Sequence, residues 1–167
     1  MQTNQNPTNI VRIIAGAAVG LLIPILMSTL ATADSTARVE KMAYADLNRL
    51  ITEGDCNCLV VFMAAWCGPC REELPILNRL YRRFGDRKIR FIGVSVDSDG
   101  PSAIEKIIRK KNVAFSVYWV GETAVDELNI FGVPMIFMVK KGQIVEKIPG
   151  KCSYEFLEKK ILDFLKP

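Results

Sequence analysis

The stretch Leu59–Cys70, LVVFMAAWCGPC, decides the fold of this chain. Its first half is an apolar run rich in residues that favour β-strands, and it ends at two alanines and Trp66. Cys67 and Cys70 follow directly, separated by Gly68 and Pro69, and after them comes a helical pattern. The stretch therefore predicts a buried strand that places a Cys-x-x-Cys pair on the first turn of a helix.

The position of this pair predicts redox chemistry, because thiol reactions proceed through the thiolate. The unpaired N–H groups at a helix N-terminus carry roughly half a positive charge, which favours the anion. Cys67 is therefore the expected nucleophile. Cys70, one turn further along the same helix face, is expected to attack any mixed disulfide that forms on Cys67.

The composition excludes several other classes of site. The chain has 167 residues, a net charge of +4, five cysteines and no histidine. The lack of histidine excludes Ser-His and Cys-His catalytic pairs, His-ligated metals and covalent haem attachment. The basic residues do not alternate with aromatic residues along a stripe, so we expect no nucleic-acid partner.

The start of the chain has the character of a targeting segment. Ile13–Ala33 is uncharged and mostly apolar, and Arg12 precedes it. Ala31, Thr32 and Ala33 offer the small residues of a signal-peptide cleavage site. The span is also long enough for an uncleaved anchor across a bilayer of ~30 Å, so both interpretations stay open. Either one places the remaining chain outside the cytosol, in the periplasm or on the extracytoplasmic face of a membrane.

Beyond this segment we expect a spacer at 34–39 and one domain at 40–167. Predicted strands and helices alternate along the domain and end with an antiparallel hairpin and a last helix. This order predicts an α/β fold with a central mixed β-sheet flanked by helices. The predicted helices are 40–53, the one from the cysteine pair to Gly85, 101–111, 122–129 and 154–165; the predicted strands are 59–65, 89–96, 115–120, 135–139 and 144–148.

The motif Trp66-Cys67-Gly68-Pro69-Cys70 resembles that of the thioredoxin superfamily. Pro75 falls where that family has a helix-kinking proline. Gly132-Val133-Pro134 matches the family's cis-proline, which faces the active site, and Gly150 falls at the glycine that closes the substrate groove. The resemblance covers about 40–167 and implies a thioredoxin-like fold.

Two features resemble the exported TlpA/ResA-like branch of thiol–disulfide oxidoreductases. Cys70–Pro75 is similar to that branch's Cys-x-x-Glu-x-Pro pattern, in which Glu73 is the acid near the thiols. The 36 residues between Asp97 and Pro134 imply an extra helix and strand before the cis-proline. Two departures accompany them. Val61 stands where cytosolic thioredoxins have a buried acid, and the branch's N-terminal hairpin is not evident.

The resemblance also implies roles for the site residues. Glu73 would move a proton during thiol exchange, although Glu72 beside it is an equally available acid. No metal and no cofactor other than the redox-active cysteine pair is expected. The implied catalytic residues are Cys67, Cys70 and Glu73; Trp66, Val133, Pro134 and Gly150 would bind substrate, and Gly68 and Pro69 would shape the motif.

The other three cysteines leave alternatives open. Cys56 and Cys58 are interpreted as buried thiols, as a disulfide or as a second redox site. A zinc site that combines them with the motif is disfavoured, because a strand of roughly 20 Å separates the two pairs. Cys152 is either a buried thiol at the base of the last helix or a trap for a mixed disulfide with Cys67.

The predicted function is reduction of substrate disulfides outside the cytosol by a monomeric protein. The Gly-Pro dipeptide between the cysteines resembles that of reducing family members. The family implies protein disulfides as substrates, apocytochrome c among them, and a membrane-embedded thiol electron donor. The alternatives are a disulfide-forming oxidant, a thiol peroxidase, and a thioredoxin-fold binding module or chaperone without turnover.

Overall fold

The computed structural model describes residues 39–53, 56–85 and 89–167. The targeting segment predicted at 1–33 and most of the predicted spacer lie outside the described residues. The strands are β1 (Glu40–Lys41), β2 (Cys58–Met63), β3 (Arg90–Ser95), β4 (Ser116–Trp119), β5 (Met135–Lys140) and β6 (Gln143–Pro149). The helices are α1 (Tyr44–Thr52), α2 (Gly68–Phe84), α3 (Ser102–Lys110), α4 (Thr123–Glu127) and α5 (Tyr154–Phe164). Within these ranges, no helix combines the length and the apolar character needed to cross a membrane.

The strands form one six-stranded sheet in the order β1–β4–β3–β2–β5–β6. β2 lies inside the sheet, parallel to β3 and antiparallel to β5. Every residue of β2 is buried, which explains why its sequence is a continuous apolar run and does not alternate. The predicted α/β class with a mixed sheet is confirmed. β5 and β6 form the predicted hairpin, with Lys141 and Gly142 in left-handed backbone at its turn.

The helix predicted over 40–53 is wrong at its start. Glu40 and Lys41 form β1, which pairs in parallel with β4 at the edge of the sheet. The N–H of Met42 continues this pairing by donating to the carbonyl of Trp119 at 2.9 Å. A strand of two residues leaves no periodicity in a sequence, whereas the helical spacing of α1 does, because Leu47 and Ile51 are fully buried.

The stretch between β3 and Pro134 contains the predicted additional helix and strand, α3 and β4, followed by the short α4. A buried amide fixes this stretch against α2. The Asn78 side chain donates to the carbonyls of Lys111 and Asn112 at 3.0 and 3.1 Å, and it accepts from the N–H of Ala114 at 3.0 Å. All three hydrogen bonds of the Asn78 amide are therefore made with the loop that precedes β4.

The sheet brings four chain segments together at one end of its strands. β2 and β3 are parallel, with Met63 opposite Ser95, so the C-terminal ends of both strands lie at this end of the sheet. β5 is antiparallel to β2 and begins there, with Met135 opposite Phe62. β6 is antiparallel to β5 and ends there, with Pro149 opposite Met135. The cysteine motif, the segment after β3, the Pro134 loop and the segment after β6 consequently meet.

Candidate active site

Cys67 is the N-cap residue of α2, and Gly68 and Pro69 are the first two residues of the helix. The Cys67 sulfur accepts a hydrogen bond from the backbone N–H of Cys70 at 3.1 Å. The sulfurs of Cys67 and Cys70 form a disulfide, with the two Cα atoms 5.3 Å apart. Pro69 suits this first turn, since an N–H there would have no partner within the helix. The helix N-terminus thus directs a donor at the sulfur of the expected nucleophile.

The Val133–Pro134 peptide bond is cis. The carbonyl oxygen of Val133 lies 3.5 Å from the Cys67 sulfur. Gly150 donates its N–H to the Pro134 carbonyl at 2.8 Å, and its φ of +76° is one that glycine adopts without strain. The structure therefore brings Val133, Pro134 and Gly150 together beside Cys67, which is only 4% exposed in this disulfide form.

Two surface hollows share the segment Phe131–Val133 in their walls. The first, which we call the acidic hollow, has a volume of about 360 Å³ and is lined by Trp66, Glu122, Asp126, Ile130, Phe131 and Val133, among others. The second, the apolar hollow, has a volume of about 560 Å³ and includes Phe131, Val133, Pro134, Met135, Pro149 and Gly150 in its wall. All four predicted substrate-binding residues line one or both of these hollows.

Glu73 lies about one helical turn after Cys70 on α2, and it is fully buried. Its Oε1 accepts a hydrogen bond from the N–H of Cys152 at 2.8 Å, while Oε2 has no partner among the described residues. Burial raises the pKa of Glu73 from its ordinary value of 4.5 to about 7, against the opposing effects of the Cys152 hydrogen bond and the charge of Lys151. This carboxyl can therefore gain or lose a proton near neutral pH.

Glu72 has a different environment, although it is the next residue. Its side chain is exposed and pairs with Lys151 at 2.6 Å. That hydrogen bond and charge lower the pKa of Glu72. Helix phase explains the contrast, because Glu73 precedes the buried residues Leu77 and Leu80 by four and seven positions. This apolar spacing, which can be read from the sequence, places Glu73 on the buried face of α2 and Glu72 off it.

Sequence reasoning missed Asp97, which is buried directly after β3. Both of its carboxylate oxygens accept from the N–H of Ala65, at 2.9 and 3.1 Å, and the Ser95 hydroxyl donates to Oδ2 at 2.7 Å. Arg71 donates to the carbonyl of Ala65 at 2.6 Å. The peptide groups flanking Ala65, two residues before Cys67, are thus held by Asp97 and Arg71. An acid just after an apolar strand parallel to the cysteine-bearing strand was the available signal.

We expect Asp97→Ala to lower the free energy of unfolding of the oxidised protein by about 2–3 kcal/mol, because the Ala65 N–H and the Ser95 hydroxyl lose their shared acceptor. Urea unfolding at pH 7 measures this loss. Asp99→Ala is the matched control, since Asp99 is an exposed acid two residues further on. Its expected effect is within about 0.5 kcal/mol. Equal losses in the two variants would contradict the assigned role of Asp97.

The other three cysteines lie outside the Cys67–Cys70 pair. Cys56 and Cys58 are joined in a disulfide at the start of β2, at the opposite end from the motif. No group of three or more Cys, Asp or Glu residues suited to a metal ion occurs in the described part of the chain. Cys152 is a partly buried free thiol whose sulfur lies 3.5 Å from the Gly150 carbonyl. Burial, and then the charge of Glu73, raise the pKa of this thiol.

Comparison with known proteins places these features in context. The sequence profile of the AhpC/TSA family matches residues 32–148. The thiol-disulfide oxidoreductase ResA of Bacillus cereus is 28% identical over 99 residues, which are 58% of this chain and 57% of ResA. This chain thus aligns with somewhat more than half of the length of that relative.

Solved structures share the fold at low sequence identity. A thiol:disulfide interchange protein of Chlorobium tepidum superposes with a TM-score of 0.59 at 22% identity, over 65% of this chain and 79% of that one. A secreted disulfide oxidoreductase of Mycobacterium tuberculosis superposes with a TM-score of 0.56 at 15% identity, over 64% of this chain and 80% of that one. These likenesses show the fold alone.

Proposed function

The chain belongs to the AhpC/TSA family, and from this membership and the site geometry we propose that it is a thiol–disulfide oxidoreductase that reduces disulfides in other proteins. The membership confirms the predicted place in the thioredoxin superfamily, and the ResA relatives support the TlpA/ResA-like branch. The observation that carries the proposal is the Cys67–Cys70 disulfide at the N-terminus of α2, with the cis Val133–Pro134 bond facing it.

The proposed reaction begins with the dithiol form. The Cys67 thiolate attacks one sulfur of the substrate disulfide, that S–S bond breaks, and the departing substrate thiolate takes up a proton. Cys70 then loses its proton and attacks the Cys67 sulfur of the mixed disulfide. The second substrate thiol leaves, the Cys67–Cys70 disulfide remains, and two electrons have passed to the substrate.

We assign the proton of Cys70 to Glu73. Glu73 follows Cys70 by three positions on α2, about one helical turn, and both side chains are buried. A carboxyl with a pKa of about 7 is close to equally protonated and ionised at neutral pH, so it can accept a proton in one half-reaction and return it in the next. Glu72 does not fit this role, because it is exposed and paired with Lys151.

The substrate segment is proposed to lie along the cis-proline loop. The Val133 backbone beside Cys67 offers its N–H and C=O groups to an extended chain, as in strand addition to a sheet edge. Trp66 lines one of the two hollows that border this loop, and Gly150 lines the other. A disulfide carried by such a chain would present its sulfur to Cys67.

The direction, the compartment and the partners are further parts of the proposal. The Gly-Pro dipeptide resembles that of reducing members, whose potentials lie near about −270 mV, against about −120 mV for strong oxidants. The apolar N-terminal segment supports export, and one protein of the same fold is described as secreted. In an oxidising compartment a monomeric reductant needs electrons from a membrane thiol donor. Apocytochrome c is the proposed substrate, by resemblance to the branch.

Two alternatives involve the same cysteines. A disulfide-forming oxidant would use the reverse reaction, and a thiol peroxidase would use the Cys67 thiolate to attack a peroxide. Peroxidases, however, place their reactive cysteine in a Thr-x-x-Cys setting, whereas Ala64, Ala65 and Trp66 precede Cys67 here. A binding module or chaperone of the same fold would show no turnover.

The reduction potential of the Cys67–Cys70 pair tests the proposal. We expect a value near about −270 mV, measured by equilibration with glutathione or dithiothreitol buffers. A value above about −150 mV would overturn the reducing direction in favour of an oxidant. Insulin reduction and peroxide consumption, run on the same dithiol preparation, distinguish a reductase from a peroxidase, and activity in neither assay would leave only a binding module.

A further inference from the structure

The surface beside the reactive disulfide carries two unusually exposed aromatic side chains. Phe131 is 94% exposed and Trp66 is 69% exposed, although both residue types are usually well covered in a folded domain. Both line the acidic hollow, and Phe131 also lines the apolar hollow. Val133, whose carbonyl is 3.5 Å from the Cys67 sulfur, lines both. A chain bound at Val133 would therefore place its neighbouring side chains in these two hollows.

The two hollows differ in charge. Glu122 and Asp126 are exposed carboxylates in the wall of the acidic hollow, and neither has an ion-pair partner in the described part of the chain. The charged group in the wall of the apolar hollow is Lys147, and its ammonium is already engaged. It donates to the Leu128 carbonyl at 3.0 Å and lies 4.6 Å from the centre of the Phe137 ring.

We propose that this surface selects disulfide-bearing segments with a basic side chain near the reacting cysteine, the base entering the acidic hollow and an apolar neighbour entering the apolar hollow. The inference rests on the proposed function. Two carboxylates attract a lysine or arginine side chain, and the faces of Trp66 and Phe131 favour the same cation. Because the whole chain has a net charge of +4, its overall charge does not draw basic substrates, and the selection must be local.

The experiment uses the dithiol form of the full chain and three peptide disulfides. Each peptide contains a single cysteine and is used as its symmetric disulfide dimer, so that the leaving group is the second copy of the peptide. The peptides are identical except that the residues two positions before and after the cysteine are lysine, glutamine or glutamate. The second-order rate constant of each peptide with the protein is divided by its rate constant with dithiothreitol. This ratio removes the effect of the peptide charge on the intrinsic reactivity of its own disulfide.

We expect the lysine peptide to react about 3–10-fold faster than the glutamate peptide at low salt, after this correction, and the preference to shrink at high salt. The double variant Glu122→Gln/Asp126→Asn should bring the ratio close to one. Glu127→Gln is the control, because Glu127 follows Asp126 on α4, is exposed and is absent from the wall of the hollow. It should keep the preference.

The glutamine peptide separates failure of the inference from failure of the proposed function. Suppose that the glutamine peptide reacts at the same rate with the wild type and with all variants. If the lysine preference is then absent from the wild type, or if it persists in the double variant, the acidic hollow does not select the substrate. If the glutamine peptide does not react with the wild type at all, the reductase proposal itself fails.

Discussion

Replacing Cys67 by serine is expected to abolish disulfide reduction, with a loss of at least about 1,000-fold in kcat/KM. Cys67 is the N-cap of α2, and its sulfur accepts a hydrogen bond from the N–H of Cys70. Both cysteines are buried, but Cys70 lies inside the first turn of the helix, and among the described residues its sulfur accepts no such hydrogen bond. A serine hydroxyl at position 67 has a far higher pKa than a thiol and does not attack a disulfide. Insulin reduction with dithiothreitol as electron source measures the loss.

Replacing Cys70 by serine should have a different result. The first attack on the substrate is retained and the second is lost, so a mixed disulfide on Cys67 should accumulate to about one per protein. Non-reducing electrophoresis and intact mass measure this species. Cys152→Ser is the control, since Cys152 is the free thiol outside both disulfides. Alone it should keep the reductase activity, and combined with Cys70→Ser it should keep the mixed disulfide on Cys67. A mixed disulfide that is lost in the double variant must have formed on Cys152, and one that accumulates only in the double variant is resolved by Cys152.

The second large effect concerns stability against pH. Between pH 4.5 and 7 the buried Glu73 is protonated in the folded protein and ionised in the unfolded chain. The folded state then binds an extra proton, so its stability falls as the pH rises through this window and levels off above pH 7. A pKa raised from 4.5 to about 7 corresponds to about 3 kcal/mol of lost stability.

Glu73→Gln should remove this decrease. Glutamine keeps an oxygen that can accept the N–H of Cys152 but cannot ionise. We therefore expect the wild-type protein, in its disulfide form, to lose about 3 kcal/mol more than the variant between pH 4.5 and 8. Denaturant unfolding across this range measures the difference. Glu72→Gln is the control, because Glu72 is exposed and its pKa is lowered. A wild-type decrease shared by Glu73→Gln would assign the titration to another group.

Much of the fold was predictable because burial leaves a pattern in the sequence. β2 is buried on both faces and appears as an unbroken apolar run, and the hairpin between β5 and β6 is indicated by Lys141-Gly142. β1 was not predictable, because its two residues are exposed and join the sheet through backbone pairing with β4. Backbone hydrogen bonds have no residue signature. The sheet order likewise depends on contacts between segments far apart in the chain.

The candidate site was also predictable from the sequence only in part. The Cys-x-x-Cys spacing between a strand and a helix predicted Cys67 and Cys70, and the resemblance supplied Pro134 and Gly150. Choosing between Glu72 and Glu73 needed helix phase, which the sequence contains, and also the position of Cys152, which it does not. Asp97 acts through a hydrogen bond to a residue 32 positions earlier. Only the parallel pairing of β2 and β3 brings the two together.

Ala65 is held through its backbone and not through its side chain, which affects the substitutions that this position should tolerate. Asp97 and Arg71 contact the N–H and the carbonyl of Ala65, which every amino acid except proline offers in full. Its side chain is partly exposed. In a saturation scan, position 65 should accept many residues but reject proline, although it is two positions from Cys67. Position 97, 32 residues later, should accept few. Distance along the chain from the reactive cysteine is thus a poor guide to which substitutions this protein survives.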